Sequence, residues 1–217
     1  MDMTDKYNQV FNNLPLVEMN GIFNTTHLCW YGLTLQQNPR ALIKINQLLN
    51  FVNFDRVIEI GAGDGGFSYL FSLWAEIKNK EFHSYDIRAN GDNYQLTNET
   101  FDSIEIKDVI FNKENVEKVK SIIQKPGITL LLCDAGKAVE FNVYVDSLKV
   151  GDFVMCHDYA KDIEAFQKMR NNGIWNWWEC NFSELKEGIM HNNIIEINYF
   201  NDVAWFCGVK EEKNLDK

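Results

Sequence analysis

The stretch "VIEIGAGDGGFSYLFSLW", residues 57–74, constrains the fold more than any other part of the chain. The apolar run "RVIEI" (56–60) predicts a buried strand, and a cluster of glycines follows it directly. From Phe67 onward, apolar residues recur every three or four positions, which predicts an amphipathic helix. A strand that passes through a glycine turn into a helix opens a βαβ unit, so the chain is predicted to build an α/β sheet.

The rest of the chain continues this alternation. A helix is predicted after Asn38, an N-cap residue followed by Pro39. Helical patterns then separate strands predicted at 81–87, 103–110, 128–134 and 151–159. Such alternation indicates right-handed βαβ connections and a mostly parallel sheet. The C-terminal "NNIIEINYFNDVAWFCGVK" reads as two strands joined at "FND", and a hairpin joins antiparallel strands, so the sheet is predicted to end in a reversed strand.

Length and composition predict one globular domain with a short extension. The chain has 217 residues, of which 46% are hydrophobic, enough for a sizeable core. Residues 1–37 have weak periodicity and are predicted to form an N-terminal cap of short helices and loops, with the main domain at 38–212. Five scattered cysteines without metal or redox spacing indicate a reducing compartment.

Several classes of partner are disfavoured by charge and hydropathy. The formal net charge is −10, without a basic stripe, which disfavours a nucleic-acid substrate and a membrane-surface role. We find neither a membrane-length apolar run nor a secretory signal pattern, and we therefore expect a cytoplasmic protein. A small-molecule substrate is the better expectation, with a monomer or homodimer as the state of assembly.

The glycine spacing alone fits two cofactors. Gly61, Gly63 and Gly66 match the dinucleotide pattern G-x-G-x-x-G, whereas Gly65 gives the methyltransferase pattern G-x-G-x-G. Glu59, two residues before the first glycine, favours the second pattern. A pyrophosphate would be repelled by this carboxylate, whereas the ammonium and sulfonium of S-adenosylmethionine are cations.

Carboxylates follow the next two predicted strands as well. Asp86 ends the second strand and can accept hydrogen bonds from both ribose hydroxyls of an adenosine. Asp108 closes the third strand and can accept from the adenine amino group, with Val109 against the ring. Gln36 and Gln37, just before the first predicted helix, are weaker candidates for cofactor contact.

Together these features resemble the class I S-adenosylmethionine-dependent methyltransferases, over about residues 36–210. The resemblance rests on Glu59-x-Gly61-x-Gly63-x-Gly65, on Asp86 and on the reversed last strand. It implies a Rossmann-like α/β sandwich with a seven-stranded, mostly parallel sheet and S-adenosylmethionine as cofactor. The implied cofactor-binding residues are Glu59, Gly61, Ala62, Gly63, Gly65, Asp86, Ile87, Asp108, Val109 and Asp134.

Polar residues also end the fourth and fifth predicted strands, in "LLLCDAGK" and "FVMCHDY". Adjacent strand ends of an open α/β sheet face one crevice, so Asp134, Lys137, His157 and Asp158 are predicted to converge. "DAGK" followed by "HDY" is similar to the small methyltransferases that carry D-G-D-H and G-G-x-x-x-H-D-Y signatures. "GLTLQQNPRALIKINQLL" (32–49) resembles the cephalosporin-hydroxylase-like and macrocin-type O-methyltransferases.

Asp134-x-x-Lys137 also resembles the D-x-x-K of catechol-type O-methyltransferases, in which the aspartate binds Mg²⁺ and the lysine is the base. That family completes its metal site with Asp-Asn, where this chain has His157-Asp158. Imidazole suits softer metals better than Mg²⁺. Three possibilities follow: a metal held by Asp134 and Asp158 with little help from His157, a softer metal held by all three, or no metal and His157 as base.

The sequence therefore predicts an S-adenosylmethionine-dependent methyltransferase that acts on an oxygen of a small molecule, with metal assistance slightly favoured. Lys137 and His157 are the candidate bases, and Asp134 completes the catalytic set. Two alternatives remain at this stage: an NAD(P)-dependent oxidoreductase and a non-catalytic cofactor-binding protein.

Overall fold

The computed structural model describes residues 28–30, 33–86 and 113–213. Within them lies a six-stranded sheet and a separate two-stranded hairpin. The hairpin strands are β1 (Leu28–Trp30) and β2 (Leu33–Leu35), and the sheet strands are β3 (Arg56–Ile60), β4 (Glu81–Tyr85), β5 (Thr129–Cys133), β6 (Phe153–His157), β7 (Ile194–Glu196) and β8 (Trp205–Lys210). The predicted strand at 103–110, with Asp108 and Val109, lies outside the described residues, as does Ile87.

The spatial order of the sheet is β4-β3-β5-β6-β8-β7. Neighbours among β4, β3, β5 and β6 run parallel, whereas β8 is antiparallel to both β6 and β7. The reversed C-terminal strand predicted from the hairpin signal is therefore confirmed. The last parallel pairing sets Cys133 beside Cys156, so the next residues of the two strands, Asp134 and His157, come out at the same edge.

Helices cover both faces of the sheet. They are α1 (Pro39–Phe51), α2 (Gly66–Lys78), α3 (Lys113–Ile123), α4 (Ala138–Tyr144), α5 (Ile163–Asn171) and α6 (Phe182–Asn192), with 3₁₀ turns at Val145–Ser147 and Asn198–Val203. Successive strand residues point to opposite faces. Val57 accordingly packs into the apolar cluster that contains α1 and α2 side chains, and Ile58 into the cluster of α3, α4 and α6.

The first helix begins as its sequence predicts. The side chain of Asn38 accepts a hydrogen bond from the Arg40 N–H, Pro39 occupies the first turn, and Ala41, Ile45 and Leu48 are buried. The start of this helix is tied to the segment that follows α5, since the Asn38 amide also donates to the Ile174 carbonyl at 3.0 Å.

One prediction needs correction, and one helix was not predicted. The described part of the predicted helical cap is the β1–β2 hairpin, in which backbone pairing between Leu28 and Leu35 replaces helix formation. Helix α6 is an addition to the predicted elements, although Asn181 and Glu184 form a capping box at its start. In the part of the chain that the structure describes, no helix has the length and apolar character needed to cross a membrane.

The glycine loop and the end of β5 approach each other closely. The Gly61 N–H donates to the Tyr85 carbonyl at 2.8 Å, and the Asp134 N–H donates to the Ile60 carbonyl at 2.7 Å. Gly61 has a φ of +102°, and a Cβ there would lie 2.5 Å from the carbonyl carbon of Asp134. Only glycine fits between these two backbone segments. Their close contact fixes the position of the Asp134 backbone relative to the glycine loop.

Replacing Gly61 by alanine should therefore destabilise the fold more than the same change at Gly151. Gly151 has a φ of +90°, but a Cβ added there would have no heavy atom within 4 Å, so this position shares the backbone strain and lacks the clash. We expect about 1–3 kcal/mol of strain in both variants and about 1–3 kcal/mol more from overpacking in Gly61→Ala. Chemical unfolding measures the free energy of unfolding of both variants. Equal losses of stability would show that the backbone around Gly61 and Asp134 adjusts to the added methyl group.

Candidate active site

A cavity of about 280 Å³ opens at the carboxyl ends of β3, β5 and β6. This is the edge at which ligands bind in open α/β sheets. The residues that line the cavity come from the glycine loop, the two strand ends, the segment before α1 and the segment after α5. They are Gln36, Gln37, Gly61, Ala62, Gly63, Asp64, Phe67, Asp134, Lys137, His157, Asp158, Trp175, Trp177 and Glu179.

The glycine loop forms one wall of the cavity. Gly61, Gly63 and Gly65 all have positive φ, and Gly65 lies immediately before the first residue of α2. Asp86 is largely buried, and its Oδ2 accepts a hydrogen bond from the Gly63 N–H at 2.8 Å. This carboxylate therefore holds the loop in place. The predicted contact of Asp86 with a ribose stays a prediction. A ribose hydroxyl would have to donate to a lone pair of Asp86 that the Gly63 N–H does not use.

Glu59 lies beneath the loop instead of in the cavity. It shares the α2 side of β3 with Val57, is fully buried, and accepts hydrogen bonds of 2.5 Å from Ser68 and Ser84. Burial raises the pKa of Glu59 to about 8, against the two hydroxyls, which favour the charged form. Glu59 therefore supports the loop from behind, and the direct cofactor contact that the sequence pattern predicted stays a prediction.

Asp134 and His157 meet at the base of the cavity. Asp134 Oδ1 lies 2.8 Å from His157 Nδ1, and Asp134 Oδ2 accepts from the Gln37 amide at 3.3 Å. The imidazole of His157 is stacked on Trp205, with ring centroids 4.5 Å apart, and is flanked by Trp175. Burial lowers the pKa of His157, but the charges of Asp134 and Asp158 outweigh burial and raise it above its usual value.

Lys137 bridges two carboxylates on the opposite side. Its Nζ lies 2.9 Å from Asp158 Oδ2 and 2.9 Å from Glu179 Oε2. Burial opposes the charge, yet Asp158 and Asp134 hold the pKa of Lys137 well above its usual range. Burial likewise raises the pKa of Asp158, but His157 and Lys137 outweigh it, so that pKa is lowered. Both groups therefore stay charged at neutral pH, and Lys137 is a poor candidate for the free base that its sequence motif suggested.

Glu140 holds the loop that carries these residues. Its carboxylate, fully buried, accepts from the backbone N–H groups of Ala135, Gly136 and Lys137, the shortest bond being 2.6 Å. Lys137 itself has a φ of +49°, which is unusual for a residue with a side chain. Burial raises the pKa of Glu140 to about 7, against the N–H groups of Gly136 and Ala135.

The predicted convergence is thus observed, and several residues join it that the sequence did not single out. Asp134, Lys137, His157 and Asp158 all line one cavity, together with Gly61, Ala62 and Gly63. Trp175 and Trp177 also line the cavity. The Trp175 indole donates to Asp158 Oδ1 at 2.5 Å, and Glu179 completes the ion pairs of Lys137. The tryptophan-rich stretch "GIWNWWEC" was the sequence signal for this wall.

Three of these side chains could hold a metal ion. One donor atom from each of Asp134, His157 and Asp158 lies within 4.8 Å of the others, and this is the set expected from the sequence. Carboxylates outnumber cations here, since Asp134, Asp158 and Glu179 face the single charge of Lys137. The excess negative charge and the two carboxylate ligands, Asp134 and Asp158, therefore fit a divalent cation.

The sheet order with its reversed last strand, the glycine loop and the polar strand ends define a class I S-adenosylmethionine-dependent methyltransferase, which confirms the class predicted from the sequence. The profile of the FtsJ-like methyltransferases matches residues 38–187. The chain therefore belongs to the FtsJ-like methyltransferase family. This assignment decides against the NAD(P)-dependent oxidoreductase that the glycine spacing alone allowed.

Solved structures share this fold at low sequence identity. An apo structure of CmcI is 13% identical over 85% of this chain and 76% of that chain, with a TM-score of 0.57. CmcI with SAH is 14% identical over 85% and 83% of the two chains, with a TM-score of 0.55. CmcI with Mg and SAM is 14% identical over 93% and 84%, with a TM-score of 0.52. The curated proteins contain no match to the sequence.

The buried carboxyl of Glu59 should give the protein a distinctive pH dependence of stability. The unfolded chain ionises Glu59 near its ordinary pKa of 4.5, whereas the folded chain does so only near pH 8. The folded state thus holds an extra proton between these values, and stability falls as pH rises through this window, by up to about 1.4 kcal/mol per pH unit. Glu59→Gln should remove this loss.

Chemical unfolding of both proteins from pH 4 to pH 9 tests this expectation, because the difference between the two curves isolates residue 59. The variant should gain stability relative to the parent as pH rises, and the gain should level off above about pH 8. Parallel curves would contradict the neutral state of Glu59.

Proposed function

We propose that this protein transfers the methyl group of S-adenosylmethionine to a hydroxyl oxygen of a small molecule. The observation that carries the proposal is a single cavity with two different walls. One wall is the glycine loop, and the other holds the hydrogen-bonded pair of Asp134 and the buried His157 beside the ion pairs of Lys137.

The charge of the cavity supports this cofactor. Its lining includes four carboxylates, Asp64, Asp134, Asp158 and Glu179, against one lysine. S-adenosylmethionine brings an ammonium and a sulfonium, so a cavity rich in carboxylates attracts it more strongly than it attracts the product S-adenosylhomocysteine, which lacks the sulfonium charge. CmcI, which shares the fold, has been solved with SAM and with SAH.

The reaction is a displacement at the methyl carbon. The acceptor oxygen forms a bond to carbon as the carbon–sulfur bond breaks, the electron pair of that bond stays on sulfur, and the hydroxyl proton leaves. The acceptor oxygen becomes strongly acidic as it gains the methyl group, so even a carboxylate suffices as proton acceptor. Much of the rate gain comes from holding oxygen and methyl at contact distance.

Asp134 is the proposed proton acceptor. It directly follows β5, its carboxylate lines the cavity, and its side chain is 16% exposed. His157 Nε2 is buried without a hydrogen-bond partner among the described residues, so a substrate cannot reach it in this conformation. We therefore assign His157 the task of orienting Asp134, in place of the role as base that the sequence suggested. Lys137, which stays protonated, orients Asp158 and Glu179.

We further propose that a divalent cation assists the transfer, held mainly by Asp134 and Asp158. The support is the excess of carboxylates and the convergence of donor atoms within 4.8 Å. When bound, such an ion lowers the pKa of a coordinated hydroxyl and neutralises negative charge. The acceptor is proposed to be a small hydroxylated molecule, in line with the formal net charge of −10, which opposes a polyanionic substrate.

Asp134→Asn should abolish most methyl transfer, well beyond any weakening of S-adenosylmethionine binding that the lost charge causes. The amide keeps the size of the side chain but cannot take the acceptor's proton, so kcat should fall about 10²–10⁴-fold. The assay follows release of S-adenosylhomocysteine, and calorimetry measures S-adenosylmethionine binding to both proteins. Acceptors are found beforehand by screening hydroxylated small molecules for a gain of one methyl group by mass spectrometry.

The matched control is Asp162→Asn, since Asp162 caps α5 away from the cavity and asparagine can accept the same hydrogen bond from the Ala165 N–H. Its activity should equal that of the parent. A kcat for Asp134→Asn within twofold of the parent would remove Asp134 from the mechanism. Binding of NAD(P) in preference to S-adenosylmethionine would overturn the proposed function.

Removal of divalent ions should lower kcat, and Mg²⁺ or a softer ion should restore it. Calorimetric titration of Mg²⁺ into the chelator-treated protein should show binding that Asp158→Asn weakens, because one of the two carboxylates is lost. Full activity after thorough chelation, without any effect of added ions, would contradict the metal proposal and leave the methyl transfer intact.

A further inference from the structure

We infer that Gln37 and Trp205 are positioning residues, which keep Asp134 a hydrogen-bond acceptor on both oxygens and thereby fix the hydrogen of His157 on Nδ1. These residues form a hydrogen-bond network behind the cavity. Their positioning role rests on the proposed function only for its effect on turnover, and the position of the hydrogen can be measured without any activity.

The network starts at a group that can only donate. The Trp205 indole N–H, fully buried, donates to Gln37 Oε1 at 2.9 Å. An indole nitrogen has no acceptor capacity, so the atom of Gln37 that faces it must be the amide oxygen. The orientation of the amide, which is otherwise ambiguous, is therefore determined by chemistry.

This orientation sets the next hydrogen bond. With its oxygen on Trp205, the Gln37 side chain presents its NH₂ group to Asp134 Oδ2, at 3.3 Å. The amide nitrogen can only donate, so this carboxylate oxygen accepts. Gln37 is itself 2% exposed, so water does not compete readily for either end of its amide.

The polarity passes from Asp134 to His157. The second oxygen of Asp134, Oδ1, lies 2.8 Å from His157 Nδ1, and an ionised carboxylate can only accept. The Nδ1 atom therefore carries hydrogen. Asp158 acts in the same sense, because its Oδ1 accepts from the Trp175 indole at 2.5 Å and lies 3.8 Å from Nδ1.

Neutral His157 is then the Nδ1–H tautomer, with its lone pair on the buried Nε2. An Nδ1 that carries hydrogen has no lone pair for a cation, so the ligands left for a metal are the carboxylates. This separates two of the possibilities that the sequence left open: Asp134 and Asp158 would hold a metal ion, and His157 would orient Asp134. A metal bound through Nδ1 would require the network to reverse.

The test is ¹⁵N NMR of the full chain with labelled histidine, at alkaline pH where His157 is neutral. The ¹⁵N shifts of the two ring nitrogens distinguish the tautomers, and loss of a signal in His157→Gln assigns it among the four histidines of the chain. The parent protein should show Nδ1–H. An Nε2–H tautomer in the parent would overturn the inference at once.

Three variants change the network in different ways. Gln37→Met removes both hydrogen bonds at similar length, Gln37→Glu puts an acceptor in place of the donor, and Trp205→Phe keeps a ring against His157 without the N–H. Each should increase the Nε2–H fraction of His157, with the largest change in Gln37→Glu. Turnover should fall about tenfold, as for one lost hydrogen bond, with KM for S-adenosylmethionine within about twofold.

Trp178→Phe is the matched control, because its indole also donates a partly buried hydrogen bond, at 3.1 Å to the Ala160 carbonyl, but outside this network. It should leave the tautomer of His157 unchanged. An unchanged tautomer in both Gln37 variants would refute the positioning role even if Trp205→Phe failed to fold. Absence of methyl transfer with every acceptor would refute the proposed function and leave the tautomer result standing.

Discussion

The close approach of Gly61 to Asp134 is the constraint on which the site depends. The two backbone segments leave no room for a side chain between them, with a hypothetical Cβ only 2.5 Å from the Asp134 carbonyl carbon. The glycine loop and the loop after β5 are thereby held as two walls of one cavity. Each wall has its own buried carboxyl behind it: Asp86 accepts from the first, and Glu140 from three N–H groups of the second.

Much of this fold could be predicted because its signals are local. Strand and helix periodicity, the Asn38–Pro39 helix start and the "FND" turn each act within a few residues, and from Asn38 onward they agree with the residues that the structure describes. The β1–β2 hairpin could not be predicted in the same way, because three-residue strands carry too little alternation to stand out. Helix α6 has a local signal in its capping box that sequence periodicity did not bring out.

The site was predictable where topology alone decides position, since residues at the carboxyl ends of adjacent parallel strands must meet. The sequence could not say which of them face the cavity. Glu59 is an example: its place on the strand was predicted, but its burial against Ser68 and Ser84 depends on packing between β3, β4 and α2. The ion pairs of Lys137 depend likewise on Glu179, which is distant in sequence and reaches the site only through the tertiary fold.

The register of β5 against β6 has a consequence for how this protein can change over time. Cys133 and Cys156 are partners in that register, so the Asp134–His157 pair is set by counting residues along two strands. Point substitutions within either strand preserve the count, whereas a single-residue insertion would turn the alternate side chains to the opposite face and separate the pair. We therefore expect these two strands to tolerate changes of side chain but not changes of length.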